Sequence, residues 1–193
     1  AMTIDRQAIS DRIFAGARLP ADTFIPPGCG GYTPTSKRLS HDPARARELL
    51  AEAGFAGGKG VPSLPLMVGN DEKSPKMAEI VQEAWKKELG IQSTVEMTEQ
   101  KVAMSNQQSG EFVIALNGWL ADYPDPFTFF ETLLTGNGNN CGRWSNPKYD
   151  ALILESNRTL DPTRRFALMQ EAESIVMEET PVALLVNGTR TYL

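Results

Sequence analysis

The stretch LPLMVGNDEKSPKMAEIVQEAWKKELGIQSTVEM, Leu64 to Met97, decides the fold class. Leu64 to Gly69 is a short apolar run and reads as a strand despite Pro65, which an edge or a strand start tolerates. Ser74-Pro75 opens a helix whose Met77, Ile80, Val81, Ala84, Trp85 and Leu89 share one face, and Gly90 closes it. On that face Trp85 is a core residue. Ile91 to Met97 reads as a second strand. Strand, amphipathic helix and strand with short connectors make a βαβ crossover, which is right-handed and gives a parallel pair. The expectation is an α/β fold, a mostly parallel central sheet with flanking helices.

Upstream, Thr3 is placed to cap a helix through Ile4, Ala8, Ile9 and Ile13 that ends by Gly16. Leu19 to Lys37 is rich in Pro and Gly and reads as a long irregular segment. Asp42-Pro43 is a helix start, with Ala46, Leu49, Leu50 and Ala53 on one face and Gly54 as the stop; a Gly-rich turn, Phe55 to Pro62, leads into the first strand. Downstream come a helix within Thr98 to Ser109, a strand Phe112 to Leu116, a helical Pro126 to Leu134 and a polar loop Thr135 to Arg143. Pro147 and Asp161-Pro162 open two further helices, the second carrying Phe166, Met169, Ala172, Ile175 and Val176, and Val182 to Val186 reads as a last strand. There is no internal repeat.

The 193 residues suit one domain, or one with a small appendage. No apolar run approaches the roughly 18 residues that span a membrane. Ala1 to Arg6 has neither a basic nor an apolar leader region, and the apolar-aromatic tail Thr191-Tyr192-Leu193 points to a lobe of something longer. A net charge of −5 with scattered Lys and Arg argues against nucleic acid as a partner. One histidine, His41, and two cysteines cannot make a conventional metal site, so no metal and no cofactor are expected, and His41 before Asp42-Pro43 reads as a solvated loop residue. There is no nucleophile motif.

Asn117-Gly118-Trp119-Leu120-Ala121-Asp122-Tyr123-Pro124-Asp125-Pro126 follows the strand Phe112 to Leu116, at the strand edge where ligands collect in open α/β sheets. Asp122 and Asp125 admit two readings. As a pair they suit glycosidic acid/base chemistry, which needs a set separation and a raised pKa. Separately, Asp125-Pro126 is a helix start, while Asp122 either forms a turn with nearby amides or holds a cationic ligand. Trp119 either stacks on a ligand or fills core, and core is favoured on burial grounds. Cys29, in Pro-Pro-Gly-Cys-Gly-Gly, and Cys141, in Asn-Asn-Cys-Gly, are a candidate disulfide that in the chain-entropy model adds about 4–5 kcal/mol. The sequons at Asn157 and Asn187 are read as chance matches.

Five segments occur together in order: Ile4 to Ile9; Asp42 to Phe55; Gly118 to Pro126; Asn139-Asn140 with Trp144-Ser145-Asn146-Pro147-Lys148-Tyr149-Asp150; and Arg165 to Pro181. In this the chain resembles the C-terminal ligand-binding lobe of the family 5 extracellular solute-binding proteins, the dipeptide and oligopeptide receptors of bacterial ABC importers. The resemblance implies a periplasmic-binding-protein-like lobe, residues 1–193 as a single unit, that closes on a ligand with an N-terminal lobe not in this sequence. It implies a non-enzymatic, monomeric receptor, periplasmic or extracellular and in its full form a candidate lipoprotein, that hands peptides to an inner-membrane ABC permease. By position, the peptide backbone falls to Asn117, Gly118, Trp119 and Leu120, and the peptide α-ammonium to Asp122. Phe112 to Asn117 holds no basic residue for a peptide carboxylate, so nickel chelates, opines and oligosaccharides stand as alternative ligands.

Overall fold

A computed structural model of the chain describes residues 1–36 and 40–188; the Thr191–Leu193 tail, Thr189 of the second sequon and the Lys37 end of the irregular segment lie outside the described residues. The chain forms two compact units. The first comprises Ala1–Ala21, Ser40–Asn117 and the segment from Leu185, the second the segment from Asp22 together with Gly118–Leu184.

The first unit is built on the crossover. Strand β2 (Leu64–Gly69), helix α3 (Ser74–Leu89) and strand β3 (Ser93–Thr98) follow one another, and β2 pairs with β3 in parallel from Leu64↔Ser93 to Gly69↔Thr98. The short strand β4 (Ile114–Ala115) adds to the other side of β2, also in parallel, at Leu66↔Ile114 and Met67↔Ala115. The order β3-β2-β4 makes β2 central, not an edge. Pro65 is tolerated because it is the second residue of β2 and lies before the part that β4 pairs with. Gly90 closes α3 in the left-handed conformation, returning its N–H to the Lys86 carbonyl. Helix α4 (Gln100–Ser109) is capped by the Glu99 carboxylate, which accepts from the Lys101 and Val102 amides.

Leu66, Val68, Ala78 and Val81 form the buried core of this unit with Ile4, Ile9 and Phe14 of the N-terminal segment, and Trp85 packs against it. Helix α1 (Arg6–Phe14) starts two residues later than the Thr3 cap predicts, because Thr3 is buried and Asp5 receives the Ala8 amide at 2.9 Å. Helix α2 (Pro43–Glu52) begins at Asp42-Pro43 as predicted, yet buries no residue: Leu49 is exposed on its apolar face, beside an open groove with Ala1, Met2, Thr3 and Leu89. Two short strands escape a pattern reading. β1 (Leu19–Pro20) lies in the segment read as irregular, and it pairs antiparallel with β5 (Val186–Asn187), at the far end of the predicted last strand. Two residues per strand are too few to show a period.

The second unit is helical. Helix α5 (Phe127–Phe130) runs into a 3-10 turn at Glu131–Leu133. Helices α6 (Pro147–Ser156) and α7 (Pro162–Glu179) start on caps Asn146 and Asp161, each followed by proline at the first helical position. Their inward faces, Tyr149, Leu152 and Ile153 on one and Leu168, Met169, Ala172 and Val176 on the other, enclose Phe130, Leu133, Ile25 and Tyr32. The Tyr32 ring meets Phe130 and Phe166 edge-on, with centroids 6.0 and 5.6 Å apart. Buried Asn140 donates to the carbonyls of Leu133, Leu134 and Trp144 and receives the Trp144 amide, which shapes the polar loop before α6.

Candidate functional site

At the end of the first unit, Leu116 donates its N–H to the Met67 carbonyl at 2.9 Å and accepts from the Gln107 side chain, so β4 is anchored almost to Asn117. The residues that follow turn outward. Asn117 through Leu120 are exposed, Trp119 at 39% and Leu120 at 51%. The core reading of Trp119 is therefore corrected. The chain around it leaves the sheet, and the aromatic core of the second unit is filled by Phe130, Tyr32 and Tyr149 instead. The main chain of Trp119 and Leu120 makes no hydrogen bond among the described residues. An exposed segment with open main-chain donors and acceptors is what strand addition requires.

The two carboxylates separate sharply. Asp125 is held by Arg165 of α7 through a two-pronged ion pair, Nη1 to Oδ2 at 2.8 Å and Nη2 to Oδ1 at 2.7 Å, and it also receives the Phe127 amide at 2.8 Å. The Arg165 guanidinium, aided by that amide, holds the Asp125 carboxyl below the usual carboxylate range. An acid kept ionised in an ion pair is no proton donor, so Asp125 does not fit the general-acid half of the carboxylate-pair reading. The helix-start reading of Asp125 is met only in part: its carboxylate receives the Phe127 amide, but Pro126 stands at the cap position, and Arg165 was not foreseen. Asp122 lies at the surface; its amide donates to the buried Thr128 hydroxyl at 3.2 Å, while its carboxylate makes no hydrogen bond or ion pair among the described residues. The turn-forming reading of Asp122 is not realised. Beside it the Tyr123 hydroxyl donates to Glu131 at 2.7 Å; partial burial and that carboxylate raise its pKa, so it stays a neutral phenol.

The Asp125–Arg165 pair yields a stability prediction. Replacing Arg165 with Ala is expected to destabilise the unit by about 2 kcal/mol, the value of charge-assisted hydrogen bonds reduced for partial exposure. Because the folded pKa of Asp125 is depressed, its contribution is present above the ordinary value of 3.8 and is lost as pH falls through the lower folded value. Urea midpoints from pH 3 to 7 should therefore fall less steeply toward acid in Arg165→Ala than in the wild type.

The loop rests on a turn from elsewhere in the second unit. Gly30, at φ +56°, lies so close that an added Cβ would stand 2.9 Å from the Pro124 carbonyl oxygen, 3.1 Å from Pro126 Cδ and 3.2 Å from Asp125 Cα. Only glycine fits there. Cys29 beside it packs against the aromatic core, and burial followed by the Asp125 charge pushes its thiol pKa up, away from reactivity. The candidate disulfide is corrected: Cys29 and Cys141 are both free thiols. Cys29 is turned to the core, whereas Cys141 belongs to the loop shaped by Asn140. No cluster of three metal-ligating side chains occurs among the described residues.

Residues 1–141 match the model for bacterial extracellular solute-binding proteins, family 5 Middle. The chain belongs to this family. Among family 5 relatives, the oligopeptide-binding protein OppA of Bacillus subtilis is 32% identical over 198 residues, covering 99% of this chain and 36% of its own length. The probable deoxycholate-binding periplasmic protein YgiS of Escherichia coli is 33% identical, covering 94% of this chain and 34% of its own length. The structure of the Escherichia coli murein tripeptide binding protein MppA superposes with a TM-score of 0.90 at 30% identity, over 97% of this chain and 38% of that one. The chain thus spans about a third of the length of the family 5 relatives it matches. These relatives are named as binding proteins, and their fold agrees with the α/β expectation.

Within this family 5 chain, pattern reading singled out Asp122 and the resemblance singled out the Asn117–Leu120 main chain, and neither pointed to Arg165, Gly30 or Glu173. Glu173 was findable. It lies four residues after Met169 and three before Val176, squarely on the buried stripe of α7. Gly30 and Arg165 left no such signal, since their partners are remote in sequence.

Proposed function

We propose that this chain supplies one ligand-binding lobe, residues 1–193, of a peptide receptor serving an ABC importer. The observation that carries the reading is the exposed Asp122 carboxylate, without a partner among the described residues, placed just after main chain at Trp119 and Leu120 that is exposed and unbonded among them. A peptide presents both complements. Its α-ammonium, with a pKa near 8, is cationic at neutral pH, and its backbone adds to an open segment whatever its side chains are. Asn117 and Gly118 precede them in the same exposed stretch. Broad sequence tolerance follows, since main-chain bonds carry the affinity. The names of the relatives, oligopeptide-binding and murein tripeptide-binding among them, support the peptide class.

In this reading the receptor is a non-enzymatic monomer outside the cytoplasmic membrane. It closes on the peptide with a second lobe and docks on an inner-membrane permease. A bile-acid anion, the ligand class in the name of one relative, would place its carboxylate against Asp122 and be repelled. The test is calorimetry on the full-length receptor with free and N-acetylated di-, tri- and longer peptides, and with deoxycholate, a nickel chelate, an opine and an oligosaccharide as competing ligands. Binding of free peptides, lost on N-acetylation, is expected. Binding of a competing ligand with no response to peptides would overturn the reading.

A further inference from the structure

Among the described residues Glu173 is the one acidic side chain in the core of the second unit, fully buried on α7 among apolar neighbours. Its Oε1 accepts the Ile25 amide at 3.1 Å and its Oε2 accepts the Tyr32 hydroxyl at 2.8 Å. One carboxylate thereby ties both ends of the segment Ile25 to Tyr32. Between those ends lie Pro26, Pro27, Gly28, Cys29, Gly30 and Gly31, and Gly30 is the residue pressed against Pro124, Asp125 and Pro126. The same helix reaches the loop a second time, through Arg165 on Asp125. Arg165 and Glu173 stand about two turns apart on α7, so a single rigid element sets both the loop and the turn beneath it.

An apolar side chain at position 173 would fill the same space without the desolvation cost of a carboxylate, and its contacts would let the turn slide. Two directional hydrogen bonds do not. We propose that Glu173 and Tyr32 are positioning residues for the Trp119–Asp122 loop, acting through the Gly28–Gly31 turn on which Pro124 and Asp125 rest. The proposal deepens the reading of that loop as the ligand-binding segment and depends on it. The clamp sets where Asp122 and the open main chain stand before ligand arrives, which reduces the ordering cost of binding.

The test uses the full-length receptor with Tyr32→Phe, which removes one hydroxyl and leaves the ring contacts, and Glu173→Gln, which keeps the volume. Backbone hydrogen exchange is read at the hydrogen-bonded amides of the loop, Asp122 on the Thr128 hydroxyl, Asp125 on the Tyr123 carbonyl and Phe127 on the Asp125 carboxylate, with α6 as the internal reference, alongside the Kd for an unmodified tripeptide. Both variants are expected to speed exchange at these amides by roughly tenfold, the scale of one buried hydrogen bond, with α6 unchanged. The Kd should rise by a few-fold or more in step. Exchange that rises equally in α6 and at these amides marks a general structural role and overturns the proposal, as does unchanged exchange at them. Failure of the wild type to bind any peptide is a separate result, which removes the ligand reading itself.

Discussion

Asp122→Asn in the full-length receptor is expected to weaken peptide binding by about 2–5 kcal/mol, the loss seen when one partner of a desolvated charge pair is truncated. At roughly 1.4 kcal/mol per tenfold, that is a Kd higher by about thirty-fold or more. The size follows from what Asp122 lacks. Its carboxylate has no intramolecular hydrogen bond or ion pair among the described residues, so the charge is not already neutralised and its full attraction is available to a ligand cation. Asn preserves the shape and the amide bond to Thr128, and so removes charge alone. A second arm makes the assignment specific: if Asp122 meets the α-ammonium, Asp122→Asn and N-acetylation of the peptide remove the same interaction and their costs do not add. Additive losses in calorimetry would place the ammonium elsewhere, and an unchanged Kd in Asp122→Asn would dismiss the residue. Asp125→Asn is the contrasting control. Its charge is spent on Arg165, so the main effect should be on stability.

The contrast between these aspartates shows what sequence can and cannot carry. The βαβ unit was legible because periodicity is local: Met77 through Leu89 repeat at helical spacing, and the flanking apolar runs are long enough to read as strands. Asp42-Pro43 and Asp161-Pro162 were equally legible, since a cap and its proline are neighbours, and Pro147 alone marked the start of α6. β1 was not, and β5 was met only at Val186, because each two-residue strand is defined by a partner at the other end of the chain. Trp119 misled because bulk and apolarity argue for burial, whereas burial is decided by where the backbone goes after β4. The site divided the same way. Asp122 follows a readable strand, while the ion pair that fixes Asp125 spans 40 residues and the close approach of Gly30 is visible only in three dimensions.

Glu173→Ala should be the most destabilising single substitution among the residues behind the loop, at about 4 kcal/mol. It removes the acceptor of two buried donors, the Ile25 amide and the Tyr32 hydroxyl, each costing roughly 1–3 kcal/mol when left unpaired, and it opens a cavity in the core. Tyr32→Phe in the same molecule takes away one of the stranded donors, so the double variant should be less destabilised than the sum of the singles. The pH dependence runs opposite to that of Asp125. Burial raises the Glu173 pKa above its ordinary value of 4.5, against the bonds that favour the anion. A raised folded pKa means that the contribution is fully present below 4.5 and is lost as pH climbs through the folded value. The gap between wild type and Glu173→Ala in urea midpoint should therefore narrow as pH rises above 4.5, whereas the gap for Arg165→Ala narrows as pH falls below 3.8. A Glu173 gap that instead widens toward neutral pH would mean the carboxylate is stabilised as the anion, and that the hydrogen bonds it accepts outweigh its burial.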